Sequence, residues 1–522
     1  MPSRSYAACL LLLPLVLVQC SSRPTESPRT PEPLPSSIST STEDVSPTEW
    51  SAALETRLAS TQPPGPYPTL QPGSLSPSGP WLVFSDGEAL WGTDGSVIKE
   101  IYRPPFLPTY GIGYSPAPSG GLLAFAASPP GSAQGSPELV LYLATLPEAR
   151  PSAVSELLSQ AQLVALSTEV PGDPQESWGE QWFQIEQMRA AISRPNGLAW
   201  SPDGKLLAFA AALDAPNTDL YVYDTQAGSI TRLTTGPYQT AELLWSPTGE
   251  YIAHSATSDI NIGRNGPLLI VEGLWAAEPG TGAVTSLAGP GTELVQWIGP
   301  ETVLLSTAAE VPCASSGLTS VNAATGETRI LWPGSFDGVA ADPSSGTVLV
   351  GIDLPDESLA YEEVCPPYEP NGLYLLRPDN PPVRIGDYKN TWTGLVPSIV
   401  WSAESQAFMA ATPTGVAIIS PSGEFAVGAT GLENVPLPSP SLEYMAVEDA
   451  ESTLAILTPG GTVRSEMTNP VCQAIWDPDG SAIYFTDRQT LYLAAAPDFA
   501  TMALFRSDGW GLCSSPFVWL MP

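Results

Sequence analysis

One histidine, six cysteines and 54 carboxylates are the groups with which this 522-residue chain could do nucleophilic, metal or acid–base chemistry. A Ser-His-Asp triad needs a nucleophile on a sharp turn beside its base, and no G-x-S-x-G stretch occurs in the sequence. The single histidine, His254, stands in the apolar run Tyr251-Ile252-Ala253-His254-Ser255 and reads as a partly buried strand residue. Zinc sites need clustered thiolates and imidazoles, and there is no C-x-x-C pair. Asp214, Asp219, Asp224 and Asp259 carry the oxygen donors that calcium takes, yet their spacing matches no calcium-binding loop. A P-loop, a dinucleotide-binding glycine motif after a strand and an EF-hand are also missing from the sequence. The expectation is therefore no catalytic residue, no metal and no cofactor.

The elements around these groups must be short and turn-bounded. With 45 Gly and 58 Pro but only 14% charged residues, the chain is poor in helix formers and rich in turn formers. Its 43% apolar content and 15 Trp still provide a large core. The net charge of −35, with lysine only at Lys99, Lys205 and Lys389, repels phosphate backbones and excludes nucleic acid as a partner.

The first 19 residues have the form of a secretory signal: Arg4, then the 12-residue apolar run from Ala7 to Val18, too short to span a bilayer of ~30 Å. Leu17-Val18-Gln19-Cys20 resembles the lipobox of bacterial lipoproteins, which implies lipid attachment at Cys20. Gln19 departs from the small residue usual at that place. Residues 20–71 form a stalk rich in Pro, Ser and Thr, with too few apolar side chains to offset the entropy of ordering. Within it Ser46-Pro47-Thr48-Glu49 reads as a capping box opening a short helix near 47–58, with Trp50, Ala53, Leu54 and Leu58 on one face.

From residue 72 onward the sequence repeats. Trp200-Ser201-Pro202-Asp203-Gly204-Lys205-Leu206-Leu207-Ala208-Phe209 is followed by Leu220-Tyr221-Val222-Tyr223-Asp224 and a glycine turn at Gly228. The phrase returns at Trp245-Ser246-Pro247-Thr248-Gly249 and Trp476-Asp477-Pro478-Asp479-Gly480. Weaker copies begin at Leu75, Tyr114, Trp297, Ala341, Trp401 and Pro438. Most anchors lie 37 to 60 residues apart, the length of a four-stranded propeller blade. Trp200, Trp245, Trp297, Trp401 and Trp476 are structural anchors that pack between blades. Asp203 and Asp479 are turn residues, because proline sets φ ahead of them and glycine accepts positive φ after them.

These phrases resemble the WD40-like repeat of TolB-type bacterial propellers, the type also found in prolyl-oligopeptidase-like peptidases. The resemblance implies an all-β fold, a β-propeller of four-stranded blades over residues 72–522. Eight blades are expected, within a range of seven to nine. The C-terminal Pro516-Phe517-Val518-Trp519-Leu520 looks like an anchor strand without its turn and is placed to close the ring on the first blade. One gap of 86 residues contains an insertion at about 147–194 with helical periodicity, in two candidate helices, Ser152–Leu166 and Glu176–Ile192.

The mature chain keeps Cys313, Cys365, Cys472 and Cys513, an even number that suggests disulfides in an exported protein. Four cysteines allow three pairings, and the repeat arithmetic favours Cys313–Cys365 with Cys472–Cys513. The functional expectation is a non-enzymatic module of the bacterial cell envelope, exported and membrane-anchored by lipid only, that binds or scaffolds a protein, peptide or glycan partner. The alternative is a propeller hydrolase or lyase using carboxylates at the channel mouth, since two separated carboxylates suffice for glycoside chemistry.

Overall fold

A computed structural model describes residues 70–522 apart from 107–110, 134–135, 159–173, 194, 215–216, 264–265, 309–314, 354–369, 392–396, 404, 431–435, 442, 449–451, 459–461, 468–469, 508–510 and 514. The signal segment, Cys20, the stalk and its short helix lie outside the described residues, as do Cys313 and Cys365.

Among the described residues the strands form nine antiparallel four-stranded sheets. The chain is a nine-bladed β-propeller. Eight of the sheets take four strands consecutive in the chain. Blade 1 takes its outer three strands from residues 81–102 and its first strand from Val518–Leu520. Trp81 lies opposite Leu520 and Val83 opposite Val518 in that pairing, so the C-terminal strand does close the ring. The first strands of blades 2 to 9 are Gly113–Pro116, Leu198–Trp200, Gln239–Trp245, Thr292–Trp297, Gly338–Ala341, Ile399–Ser402, Leu437–Pro438 and Gln473–Trp476.

The expected blade number of eight is thus corrected to nine. A blade needs an apolar plug at each junction but not an aromatic anchor of its own. Ala341 heads blade 6 because Trp332 and Phe336, supplied by blade 5 and its exit loop, fill the same cluster. Blade 1 has an anchor, Trp519, whose turn Ser76-Pro77-Ser78-Gly79 stands at the other end of the chain.

Each junction between consecutive blades holds its own apolar cluster, and the nine clusters run around the ring without a gap. A single blade cannot bury both its faces; the ring does so and leaves few open edges. The indoles of Trp200, Trp245, Trp297, Trp476 and Trp519 add a polar staple. Each donates Nε1–H to a main-chain oxygen on or beside the preceding blade's first strand: Ser115, Ala199, Leu244, Leu437 and Trp476, at 2.7–3.0 Å. Trp401 packs on Phe408, ring centroids 4.7 Å apart.

The Ser-Pro-x-Gly turns are built as the sequence requires. Asp203 Oδ1 accepts from the Ser201 hydroxyl at 2.8 Å and the Lys205 amide at 3.1 Å, and Gly204 takes φ of 70°. Asp479 Oδ1 accepts the Ser481 amide at 2.8 Å.

The insertion needs correcting at its first half. Ser152–Leu158 is the fourth strand of blade 2, not a helix. Val154, Leu157 and Leu158 have helical spacing, but the open edge of Leu139–Thr145 captures the segment, and tertiary pairing overrides a weak local preference. The second half is helical: α1 runs Pro174–Ser193. Among the described residues no helix is long and apolar enough to cross a membrane.

Candidate binding face and channel mouth

The strands alternate in direction, so one end of the ring collects the starts of the first strands, the hairpins between second and third strands, and the connections between blades. The Ser-Pro-x-Gly turns lie at the opposite end. Three acids on neighbouring blades lie at the first of these ends.

Three acids sit there on or beside first strands: Glu242, Glu293 and Asp337, respectively three before Trp245, four before Trp297 and four before Ala341. Glu242 occupies a β-bulge between Ala241 and Leu244 and adopts φ of +56°, a left-handed conformation unusual for a side-chain-bearing residue. Glu293, on the next blade, lies opposite Ser306, which donates its hydroxyl to the carboxylate. Burial pushes the Glu293 carboxyl up to about 7, and the negative charge of Glu242 adds to the rise. Asp337 is likewise raised, first by burial and then by the charge of Asp353. Asp337 Oδ2 accepts the Asp353 amide at 2.6 Å, and Asp353 Oδ2 accepts the Asn390 amide at 2.9 Å. Nearby, the Tyr388 hydroxyl hydrogen-bonds that of Ser398.

Helix α1 reaches the same end through the connection from blade 2 to blade 3. Its last two turns bury Met188, Ala191 and Ile192. Gln187 replaces a strand neighbour: its Nε2 donates to the Ile260 oxygen at 3.0 Å, and its Oε1 accepts the Ile260 amide. Ile260 belongs to the hairpin Ile252–Gly263 and Gly266–Glu278, formed by the two longest strands of the ring. One turn before Gln187 on the same helix stripe, Phe183 is 49% exposed, and Ile270 on the hairpin is 47% exposed. The side chains of Trp178 and Trp182 lie outside the described residues.

Three of the acids singled out for calcium are otherwise engaged, and the side chain of Asp259 lies outside the described residues. Arg232 bridges Asp214 at 2.8 Å and Asp219 at 2.5 Å, so a guanidinium already supplies their positive charge. Asp224 accepts the Gln226 and Ala227 amides at 2.8 Å as a turn cap. Among the described residues no three of His, Cys, Asp and Glu converge as metal ligands. His254 is 3% exposed, and among the described residues neither ring nitrogen meets a partner in hydrogen-bond geometry. Burial pushes its pKa down to about 4, only partly offset by the Ser255 main chain, so the ring is neutral at physiological pH.

Cys472 and Cys513 form a disulfide with Cα atoms 5.7 Å apart. The bridge is consistent with an exported protein in an oxidising compartment.

Sequence reasoning did not single out Glu242, Glu293 and Asp337. Aligning the repeats on their anchors would have placed an acid three or four residues before three consecutive anchors, on blades 4, 5 and 6.

No family model matches the chain. Among curated proteins it is 43% identical over 53 residues to an uncharacterized peptidase, YuxL, of Bacillus subtilis (strain 168), a match covering 10% of this chain and 8% of the relative. Solved propellers resemble it in fold alone. TolB from Acinetobacter baumannii is 13% identical, with a TM-score of 0.29 over 66% of this chain and 61% of that one. The C-terminal WD40 domain of Sif2 is 13% identical, with a TM-score of 0.35 over 74% and 95%. A eukaryotic initiation factor is 11% identical, with a TM-score of 0.48 over 85% and 98%. The chain therefore spans less than two thirds of the length of both YuxL and the TolB structure.

Proposed function

We propose that the chain is a non-enzymatic binding or scaffolding module of the cell envelope. It is tethered through a lipid on Cys20, held off the membrane by its Pro/Ser/Thr-rich stalk, and presents one end of the ring to a protein, peptide or glycan partner. The observation that carries this reading is α1 seated on the long blade 4 hairpin, which leaves Phe183 and Ile270 exposed on a rigid scaffold. Large apolar side chains held in solvent by ordered elements suit recognition better than they suit solubility. Crosslinking in intact envelopes tests it. One discrete partner should be captured by the wild type, lost with Phe183→Glu and Ile270→Glu, and retained with Glu293→Gln. Capture that ignores both substitutions at this face rejects the reading. The tether is tested separately by Cys20→Ala, which should leave the protein outside the membrane fraction.

A second reading rests on Glu242 and Glu293. A carboxyl that keeps its proton to about pH 7 beside a second carboxylate is the pairing used in general acid–base cleavage of glycosidic bonds. Turnover of a glycan or oligosaccharide that Glu293→Gln abolishes would favour this hydrolase or lyase over the binding module.

A further inference from the structure

Both ends of the described chain converge on the junction between blades 9 and 1. On the outer side, the Leu70 amide donates to the Leu504 oxygen at 2.7 Å, while Gln71 and Gly73 hydrogen-bond the main chain of Ile98 in blade 1. On the inner side, Val518–Leu520 pairs with blade 1 over only three residues. Just before that strand, Cys513 is bridged to Cys472, which immediately precedes the first strand of blade 9. The neighbouring Gln473 holds the same segment with its side-chain amide. Its Nε2 donates to the oxygens of Leu512 at 3.2 Å and Ser515 at 2.8 Å, and its Oε1 accepts the Phe517 amide at 3.2 Å. Further grip comes from the Trp519 staple and its ring contact with Tyr484, the Tyr114 hydroxyl donating to the Pro516 oxygen, the Gly121 amide donating to the Met521 oxygen at 2.7 Å, and the burial of Leu512 and Phe517 against Phe84. The bridge is the one covalent link among these contacts, and both its cysteines are only half-buried.

We propose that the Cys472–Cys513 bridge is a redox-sensitive latch: a dithiol that reduces it releases the Gly511–Leu520 segment from blade 1 and opens the ring at this junction, leaving the other blades folded. A thiolate of the reductant attacks one bridge sulfur and forms a mixed disulfide, freeing one cysteine. Its second thiolate then displaces the other cysteine. Two electrons and two protons pass to the cysteine pair, and the reductant leaves as its own disulfide. The opening is local because blades 2 to 9 each draw all four strands from one continuous stretch, whereas blade 1 borrows its first strand from the far end of the chain. Opening uncovers the edge Trp81–Val83, whose outward-facing main-chain groups are then able to accept another strand.

Hydrogen exchange on the full chain, oxidised and then treated with dithiothreitol, tests the latch. The amides of Trp81, Val83 and Val518–Leu520 should exchange about tenfold or more faster on reduction, with Leu206–Ala211 and Ala407–Thr412 unchanged, and should recover on re-oxidation. The Cys472→Ser, Cys513→Ser double variant should show the same local loss without reductant, which separates this bridge from any other cysteine pair. Should that variant fail to fold, the reduced wild type alkylated at both cysteines, confirmed by peptide mapping, takes its place. Unchanged protection in the reduced or alkylated chain, or an equal loss in every blade, would overturn the proposal.

Discussion

The indole Nε1 of Trp245 donates to the main-chain oxygen of Ala199, 2.8 Å away on the preceding blade and one residue before that blade's own anchor, Trp200. Each such anchor fills the apolar junction and also adds a hydrogen bond to a main-chain oxygen of the neighbouring blade. The two parts separate by substitution. Trp245→Phe keeps most of the packing and loses the hydrogen bond to the Ala199 oxygen, at a cost of about 1 kcal/mol. Trp245→Ala also opens a cavity between blades 3 and 4 and should cost about 3–5 kcal/mol. Urea unfolding midpoints of the two variants check the order; equal losses would mean that the staple, not the packing, carries the contribution.

These anchors are legible in the sequence because an aromatic residue followed by a proline–glycine turn is both rare and mechanically specific. Blade number is less legible, for a physical reason. At Ala341 the junction is plugged by Trp332 and Phe336 from the preceding blade, so a weak anchor there does not mean a missing blade. At blade 1 the anchor Trp519 and its turn at Ser76–Gly79 sit at opposite ends of the chain, and no local pattern joins them. Ser152–Leu158 misleads because its buried Leu157 and Leu158 face the blade 2–3 core with a spacing that a helix would also give. The acids at the channel mouth escape a sequence reading because Glu242 owes its placement to a bulge, and its relation to Glu293 lies between two blades.

Glu293 should make stability depend on pH. Its folded pKa of about 7 lies above the ordinary 4.5, so the folded state binds more protons than the unfolded state between those values. Stability is then greatest below about pH 4.5 with respect to this group and falls as pH rises through 7, by roughly 3 kcal/mol. Self-repulsion of a chain with net charge −35 acts in the same direction, so the test is a difference between proteins. Glu293→Gln should be more stable than wild type at pH 8 and lose that advantage by pH 5, as read from thermal midpoints across the range.

Arg232 lies between Asp214 and Asp219, and the Asp219 side chain is only 2% exposed. Burial raises the Asp219 carboxyl, and the Arg232 charge opposes that rise. Arg232→Met removes the charge and keeps much of the stem, leaving a buried carboxylate uncompensated. A loss of about 3 kcal/mol is expected at pH 7, shrinking as the pH falls and Asp219 takes up a proton. A loss that stays constant between pH 7 and pH 4 would assign the effect to packing of the arginine stem instead.

Gln187 gives the sharpest test of how α1 is fixed to the ring. Its amide matches both polar groups of Ile260, donating to the oxygen and accepting from the amide, a task that a carboxylate performs only by half. Gln187→Glu keeps the acceptor for the Ile260 amide but turns an oxygen toward the Ile260 oxygen, so the change is repulsive as well as incomplete. Gln187→Ala removes both bonds and leaves the buried Ile260 groups unsatisfied, at about 1–3 kcal/mol. Because Met188, Ala191 and Ile192 remain buried, the ring should stay folded in both variants while the helix loosens. Hydrogen exchange should then rise in α1 and in Ile252–Gly263, with Gln187→Glu at pH 7 losing at least as much protection as Gln187→Ala. If both variants retain wild-type protection there, apolar burial alone holds the helix, and the rigidity of the Phe183 and Ile270 face does not depend on the amide.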